Sequence, residues 1–169
     1  MSFRAVAVLI ACTAVSACGF RPLYGDFAQG SSGAKFLNVE IGITKDRSGQ
    51  LLRNELIRLL YGGRPALKPE YRLVMELIEN KTSLAVKKSA FATRGNLTMV
   101  GQYWLFDVST GAEALAGSSE VTVSYNILDS EFASLLGEKN ARNRAIKELG
   151  HDIRVRLGGF FDRHGKERS

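Results

Sequence analysis

Apolar and polar residues alternate in three stretches of the chain, and a fourth stretch contains Trp104 and Phe106; these stretches predict four β-strands. In the first stretch, Leu37, Val39, Ile41 and Ile43 share one face, as expected for a half-buried strand. Residues 109–111, Ser-Thr-Gly, predict a turn between the third and fourth strands. The second, third and fourth strands are predicted at about 71–78, 97–108 and 121–127.

Two further stretches have the spacing of amphipathic helices. The first is predicted to begin after an N-cap at Asp46 or Ser48 and to end near Tyr61, because Gly62 and Gly63 follow as a stop signal. Its apolar residues recur three and four positions apart, as one buried helix face requires. These residues are Leu52, Leu56, Leu59 and Leu60.

The second helix is predicted to follow Asp129 or Ser130, with Glu131 well placed at the positive end of the helix dipole. Gly158 and Gly159 predict its end. We expect residues 162–169 to form a charged, frayed tail. The buried face is predicted to contain Ile146, Leu149, Ile153 and Leu157.

The order of predicted elements is strand, helix, three strands, helix, without an internal repeat. This order indicates a single α+β domain over residues 35–161, a two-layer sandwich in which two helices cover one face of a four-stranded sheet.

The first eighteen residues have the parts of a bacterial lipoprotein signal peptide. One cation, Arg4, precedes an apolar run at 5–14 that is too short to span a bilayer. Small residues then lead to a cysteine in the sequence Val15-Ser16-Ala17-Cys18, the arrangement of a lipobox. We therefore expect removal of residues 1–17 and acylation of Cys18, followed by a glycine- and serine-containing tether over 18–34. The alternatives are a cleaved soluble protein whose Cys18 is incidental, or a core helix at the start of the chain.

Charge and cysteine content narrow the choice of partners. The net charge of +6 becomes +5 when Arg4 is removed with the signal, and the remaining 152 residues suffice for one core. This excess suits an anionic partner such as a membrane surface or a phosphorylated lipid, and it does not require nucleic acid. Because Cys12 is removed and Cys18 is acylated, no thiol remains for a disulfide or a metal site. We expect no cofactor beyond the covalent lipid.

The usual constellations of catalytic residues are missing from the sequence. His151 and His164 have no cysteine or second histidine at ligand spacing, which argues against a metal site. The chain also lacks the glycine-rich phosphate signatures and the G-x-S-x-G motif of serine hydrolases. The expectation is a protein that is not an enzyme.

The segment between the second and third strands, residues 80–96, is basic and contains no acid. Its cations stand among apolar residues, which is the chemistry that a phosphorylated and acylated ligand requires. The alternative is a solvated hairpin loop, or strand extensions whose lysines protect a sheet edge from pairing. The candidate ligand-binding residues are Lys81, Lys87, Lys88 and Arg94.

The mature start Cys18-Gly19-Phe20-Arg21-Pro22-Leu23-Tyr24-Gly25 resembles that of the LptE family of lipopolysaccharide-assembly lipoproteins, in its alphaproteobacterial form. The order of elements and Ser130-Glu131-Phe132-Ala133 at the start of the last helix are also similar. The resemblance implies a Gram-negative outer-membrane lipoprotein, anchored on the periplasmic side. It would plug and help assemble a large β-barrel of the LptD type and assist lipopolysaccharide insertion into the outer leaflet. Gly19 is consistent, because aspartate there would signal retention at the inner membrane.

This resemblance makes the four cations candidates for contact with lipopolysaccharide. No motif assigns that role to them, so the assignment follows from their chemistry alone. The competing function is a free-standing outer-membrane lipoprotein that binds a periplasmic small molecule or a cell-wall fragment.

Overall fold

The computed structural model describes residues 36–62, 68–84 and 93–167, which contain six elements. They are β1 (Val39–Ile41), α1 (Arg47–Tyr61), β2 (Tyr71–Leu84), β3 (Thr93–Asp107), β4 (Glu113–Ile127) and α2 (Glu131–Glu167). The strands form one sheet in the order β1-β2-β3-β4, in which β1 is parallel to β2 and the other neighbours are antiparallel. The predicted α+β fold and its order of elements are confirmed. The predicted signal peptide, Cys18 and the tether lie outside the described residues.

Helix α1 begins and ends where its capping residues predict. The Asp46 side chain accepts a hydrogen bond from the Gly49 backbone N–H at 2.5 Å, which satisfies one of the unpaired donors of the first turn. Gly62 adopts the left-handed conformation with φ of 64° and closes the helix through its N–H to the Arg58 carbonyl. Leu52, Leu56 and Leu60 are buried, so the predicted apolar face is confirmed.

Strand β1 is shorter than its alternating sequence predicts. Val39 and Ile41 are buried, but Leu37 is 38% exposed and Ile43 is 90% exposed. The pairing with β2 ends when the Gly42 N–H donates to the Leu73 carbonyl, and the chain then turns toward α1. The prediction that Leu37 and Ile43 share the buried face was therefore wrong.

Strands β2 and β3 are longer than predicted and pair without interruption from Tyr71 opposite Asp107 to Leu84 opposite Arg94. The ends of the basic segment are thus strand extensions, as one of the alternatives proposed. Odd-numbered residues of these strands face the helices, and even-numbered residues face the other side of the sheet. The buried set on the helix side is Leu73, Met75, Leu97, Met99, Tyr103 and Leu105.

Helix α2 does not end at Gly158 and Gly159 but continues to Glu167, so that prediction was wrong. Phe160 and Phe161, directly after the glycines, are buried, and the Phe161 ring meets Phe36 edge-on with centroids 5.7 Å apart. This aromatic packing holds the helix together across two residues with poor helix propensity. At about 1.5 Å per residue, α2 is roughly 55 Å long. No helix in the described ranges is both long and apolar enough to cross a membrane.

Candidate functional site

The described part of the basic segment lies where β2 ends and β3 begins, far along the strands from β1. We call this end of the sheet the hairpin end. It consists of the row Thr82, Asn96 and Ser124 and the row Leu84, Arg94 and Asn126. The first turns of α2 pack here, because Gly137 approaches β4 so closely that a side chain would lie 3.3 Å from the Asn126 carbonyl oxygen.

At the hairpin end, two of the four predicted ligand-binding residues lie on opposite sides of the sheet. Lys81 pairs with the fully buried Leu97 and therefore faces the helices. Arg94 pairs with Leu84 and faces the opposite side of the sheet, where it is exposed. Lys87 and Lys88 lie outside the described residues. Lys81 and Arg94 thus do not converge on one surface.

Lys81 belongs to a group of four charged residues that we call the charged quartet: Glu79, Lys81, Glu138 and Arg142. Arg142 donates from Nε and Nη2 to the two carboxylate oxygens of Glu79 at 2.9 and 2.7 Å, and from Nη2 to Glu138 at 2.6 Å. Lys81 donates to Glu138 at 2.5 Å and lies 3.8 Å from Glu79. The quartet has no net charge, so Lys81 is already compensated.

Hydrogen bonding within the charged quartet shifts the pKa values of Glu79, Glu138 and Arg142. The hydrogen bonds from Arg142 hold the pKa of the Glu79 carboxyl below its ordinary value, and the hydrogen bond from Lys81 does the same for the pKa of Glu138. The hydrogen bonds to Glu79 raise the pKa of Arg142 further above its ordinary value. The Glu79 and Glu138 carboxylates and the Arg142 guanidinium are therefore ionised at neutral pH, and their hydrogen bonds join β2 to α2.

The first turns of α2 and the chain just before them carry exposed apolar side chains, which we call the apolar stripe. Phe132, Leu135 and Leu136 lie on one side of the helix, because they are three and four residues apart, and Leu128 precedes the helix. The sequence contained this signal, but the prediction for the second helix considered only the buried face further along. The stripe consists of Leu128 (45% exposed), Phe132 (71%), Leu135 (58%) and Leu136 (44%).

The side of the sheet away from the helices, which we call the open face, carries two apolar rows with the polar row of Glu76 and Gln102 between them, and it is polar at the hairpin end. Val74 lies beside Trp104 in one row, and Ile78 lies beside Val100 two rows further on. Val74 and Ile78 are 39% and 42% exposed. No helix within the described ranges covers this face. Toward the hairpin end, the Thr98 and Thr122 hydroxyls are 2.9 Å apart.

Neither histidine forms part of a recognisable reactive cluster. His151 is exposed, and the His164 ring stacks on Phe160 with Nδ1 3.1 Å from the Phe160 carbonyl oxygen. In the part of the chain that the structure describes, no group of three or more histidine, cysteine, aspartate or glutamate residues could hold a metal ion.

Comparison with known proteins finds similarity in structure and not in sequence. No family model matches the chain, and no curated protein matches it. A candidate lipoprotein from Caulobacter crescentus is similar in structure, with a TM-score of 0.68 and 23% identity over 79% of this chain and 96% of that one. An uncharacterized lipoprotein B from Nitrosomonas europaea has a TM-score of 0.54 and 20% identity over 73% of this chain and 83% of that one. The chain shares the fold of these Gram-negative lipoproteins.

Proposed function

We propose that this protein is a lipid-anchored outer-membrane lipoprotein that plugs and helps assemble a lipopolysaccharide-export β-barrel of the LptD type. In this role it assists lipopolysaccharide insertion into the outer leaflet. It acts without catalysis and needs no cofactor besides the lipid on Cys18. The observation that carries the proposal is the open face, where Val74, Trp104 and Ile78 stand on a sheet surface that no described helix covers.

Exposed apolar side chains on a sheet face that no described helix covers favour a domain that is held by another protein. Exposed apolar patches of this kind commonly mark interaction surfaces. The open face combines its apolar rows with hydroxyl and amide groups nearer the hairpin end, such as the Asn96–Ser124 pair at 2.8 Å. A barrel lumen is polar, so a plug needs hydrogen-bonding groups as well as apolar contacts.

The arrangement of the two ends of the domain also suits a plug. The described chain begins at Phe36, which packs against Phe161 near the C-terminal end of α2, and Cys18 precedes it by only 18 residues. The apolar stripe lies at the other end of that helix. Phe132 and Phe161 are 29 residues apart, or about 44 Å along a helix. This exceeds the roughly 25 Å height of the apolar band of an outer-membrane barrel, so an anchored domain could extend through the lumen.

In this proposal the hairpin end is directed toward lipopolysaccharide. Arg94 is exposed there and has no ion-pair partner among the described residues. Together with Lys87 and Lys88 it would supply cations for the phosphates of lipid A. Lys81 would act through the charged quartet, which ties the end of β2 to α2.

The deciding experiment is co-purification after mild detergent extraction of membranes from cells that express the lipidated protein. We expect the tagged protein to be recovered with a large, heat-modifiable barrel. Val74→Glu/Ile78→Glu should abolish this recovery, because charged side chains on the open face would have to be desolvated against the partner. Both positions are partly exposed in the isolated domain, so its thermal unfolding should change little.

Val155→Glu is the matched control, because Val155 is 46% exposed on α2, away from the open face. It should leave barrel recovery intact. Absence of a barrel from the unaltered protein would contradict the plug and favour a free-standing lipoprotein that binds a periplasmic small molecule or cell-wall fragment. Equal loss in Val155→Glu would contradict the role assigned to the open face.

A further inference from the structure

A cleft of about 670 Å³ opens between the start of α1 and the early part of α2. Helix α1 contributes Arg47, Ser48 and Leu51, and α2 contributes Lys139 and Arg142. Glu79 of β2 is the acidic residue of the lining. The volume falls within the range of small-molecule sites, and the lining combines cations with an apolar side chain.

Two of the cations that line the cleft are not neutralised by the protein. Arg142 is compensated within the charged quartet, and the Ser48 hydroxyl donates to Glu79 at 3.1 Å. Arg47 and Lys139 are exposed and have no hydrogen-bond or ion-pair partner among the described residues. They belong to different helices, so the cleft carries one uncompensated positive charge from each wall.

Arg47 has no acidic side chain to pair with in the first turn of α1. Arg47 is the first residue of α1, where the helix dipole favours acidic side chains and disfavours cations. The first turn of α1 contains no acid. Asp46 precedes the helix, and its carboxylate is engaged with the Gly49 N–H. The Asp46 carboxylate already caps the start of the helix, so an anion bound in the cleft would pair with the Arg47 guanidinium.

We propose that this cleft binds a phosphomonoester group. At neutral pH such a group carries nearly two negative charges, which match the two uncompensated cations. The Arg47 guanidinium can donate two parallel hydrogen bonds to phosphate oxygens, and the Lys139 ammonium can donate from the opposite wall. Leu51 can pack against the carbon skeleton of the ester. The site is separate from the open face and does not depend on a barrel partner. The phosphomonoester belongs either to a soluble sugar phosphate or to the headgroup of a phosphorylated lipid.

Titration of the full-length lipidated protein in detergent tests the site and separates the two sources. Glucose 1-phosphate, with glucose and glucuronate as uncharged and singly charged controls, probes the soluble source. Detergent micelles doped with phosphatidic acid probe the lipid source, and micelles doped with phosphatidylglycerol supply the control phosphodiester. We expect saturable binding of at least one phosphomonoester that weakens as salt is raised.

The variant Arg47→Gln/Lys139→Gln should weaken this binding at least tenfold. The control Lys68→Gln/Arg163→Gln removes the same charge from exposed positions outside the cleft and should retain the affinity of the unaltered protein. Thermal unfolding without ligand should be unchanged or slightly improved in the cleft variant, because a cation leaves the start of α1. Unaltered affinity in the cleft variant, equal loss in the control, or no preference for a phosphomonoester would each overturn the proposal.

Discussion

The Arg142 guanidinium donates two hydrogen bonds to the Glu79 carboxylate, from Nε at 2.9 Å and from Nη2 at 2.7 Å. The two residues are 63 positions apart in the sequence, and they join the C-terminal half of β2 to α2. About a fifth of each side chain is exposed, so the pair is partly shielded from solvent. Lys81, two residues after Glu79 on the same face of β2, lies beside Glu138.

Removing the centre of the charged quartet should destabilise the domain. Arg142→Gln leaves Glu79 without its main donor and Glu138 with Lys81 as its remaining donor, and we expect a loss of about 1–3 kcal/mol in the free energy of unfolding. Urea denaturation measures this loss. The matched control is Arg72→Gln, whose pair with Glu40 is about half exposed and should contribute less than about 1 kcal/mol. Equal losses in both variants would show that the quartet adds no stability beyond that of a surface pair.

Acid should weaken the fold through the same residues. The pKa values of Glu79 and Glu138 lie below the ordinary 4.5 in the folded protein, so the unfolded chain binds protons first as the pH falls. Their contribution to stability is complete above pH 4.5 and disappears as the pH falls through their lower folded values. Urea denaturation at several pH values should therefore show a shallower acid dependence for Glu79→Gln/Glu138→Gln. A slope unchanged from that of the unaltered protein would contradict this account.

The two sides of the sheet should differ in their tolerance of charge. Ile153 of α2 is fully buried, so Ile153→Asp should cost more than about 4 kcal/mol or prevent folding. Val123→Asp should also be severe, because Val123 packs against the core. Thr122→Asp, on the open face, should cost no more than about 1 kcal/mol. Thermal unfolding of the isolated domain compares the three, and similar damage from Thr122→Asp and Val123→Asp would mean that both faces are covered.

Gly117 should tolerate substitution less well than Gly95. A methyl group at Gly117 would collide with the ring of Tyr103, which is fully buried and cannot move aside. At Gly95 the collision is with Tyr125, which is only partly buried and can shift. Gly117→Ala should therefore cost about 1–3 kcal/mol of unfolding free energy, and Gly95→Ala less than about 1 kcal/mol. The reverse order in urea denaturation would be inconsistent with the packing of Tyr103.

Lipidation of Cys18 is tested by mass spectrometry of the N-terminus of the mature protein. We expect cleavage before Cys18 and the added mass of its acyl chains, which together give stable membrane anchoring. Cys18→Ser should leave an uncleaved or unlipidated form. An unmodified, normally trimmed N-terminus in the unaltered protein would contradict the lipobox assignment.

Local signals in the sequence were enough to predict the elements and their order. Asp46 and Gly62 bound α1 as predicted, because capping depends on side chains within a few residues of the helix end. The strand faces also followed from alternation, since one side of the sheet carries the core. Leu73 and Val123 both face the helices, although one is fully buried and the other partly.

Tertiary packing decided the features for which local signals gave a different answer. Gly158 and Gly159 are a local stop signal, but burial of Phe160 and Phe161 against Phe36 outweighs it and extends α2. The alternation at Ile43 is that of a strand, yet pairing with β2 ends at Gly42 and leaves Ile43 exposed.

The basic segment shows the same division between sequence and structure. Its composition alone indicated a cationic surface, because charge can be counted without knowing where a side chain points. Whether Lys81 and Arg94 act together depends on the pairing register of β2 and β3. This register places Lys81 and Arg94 on opposite faces of the sheet. The partner of Lys81 is Glu138, 57 residues away, and only the packing of α2 on the sheet brings the two together.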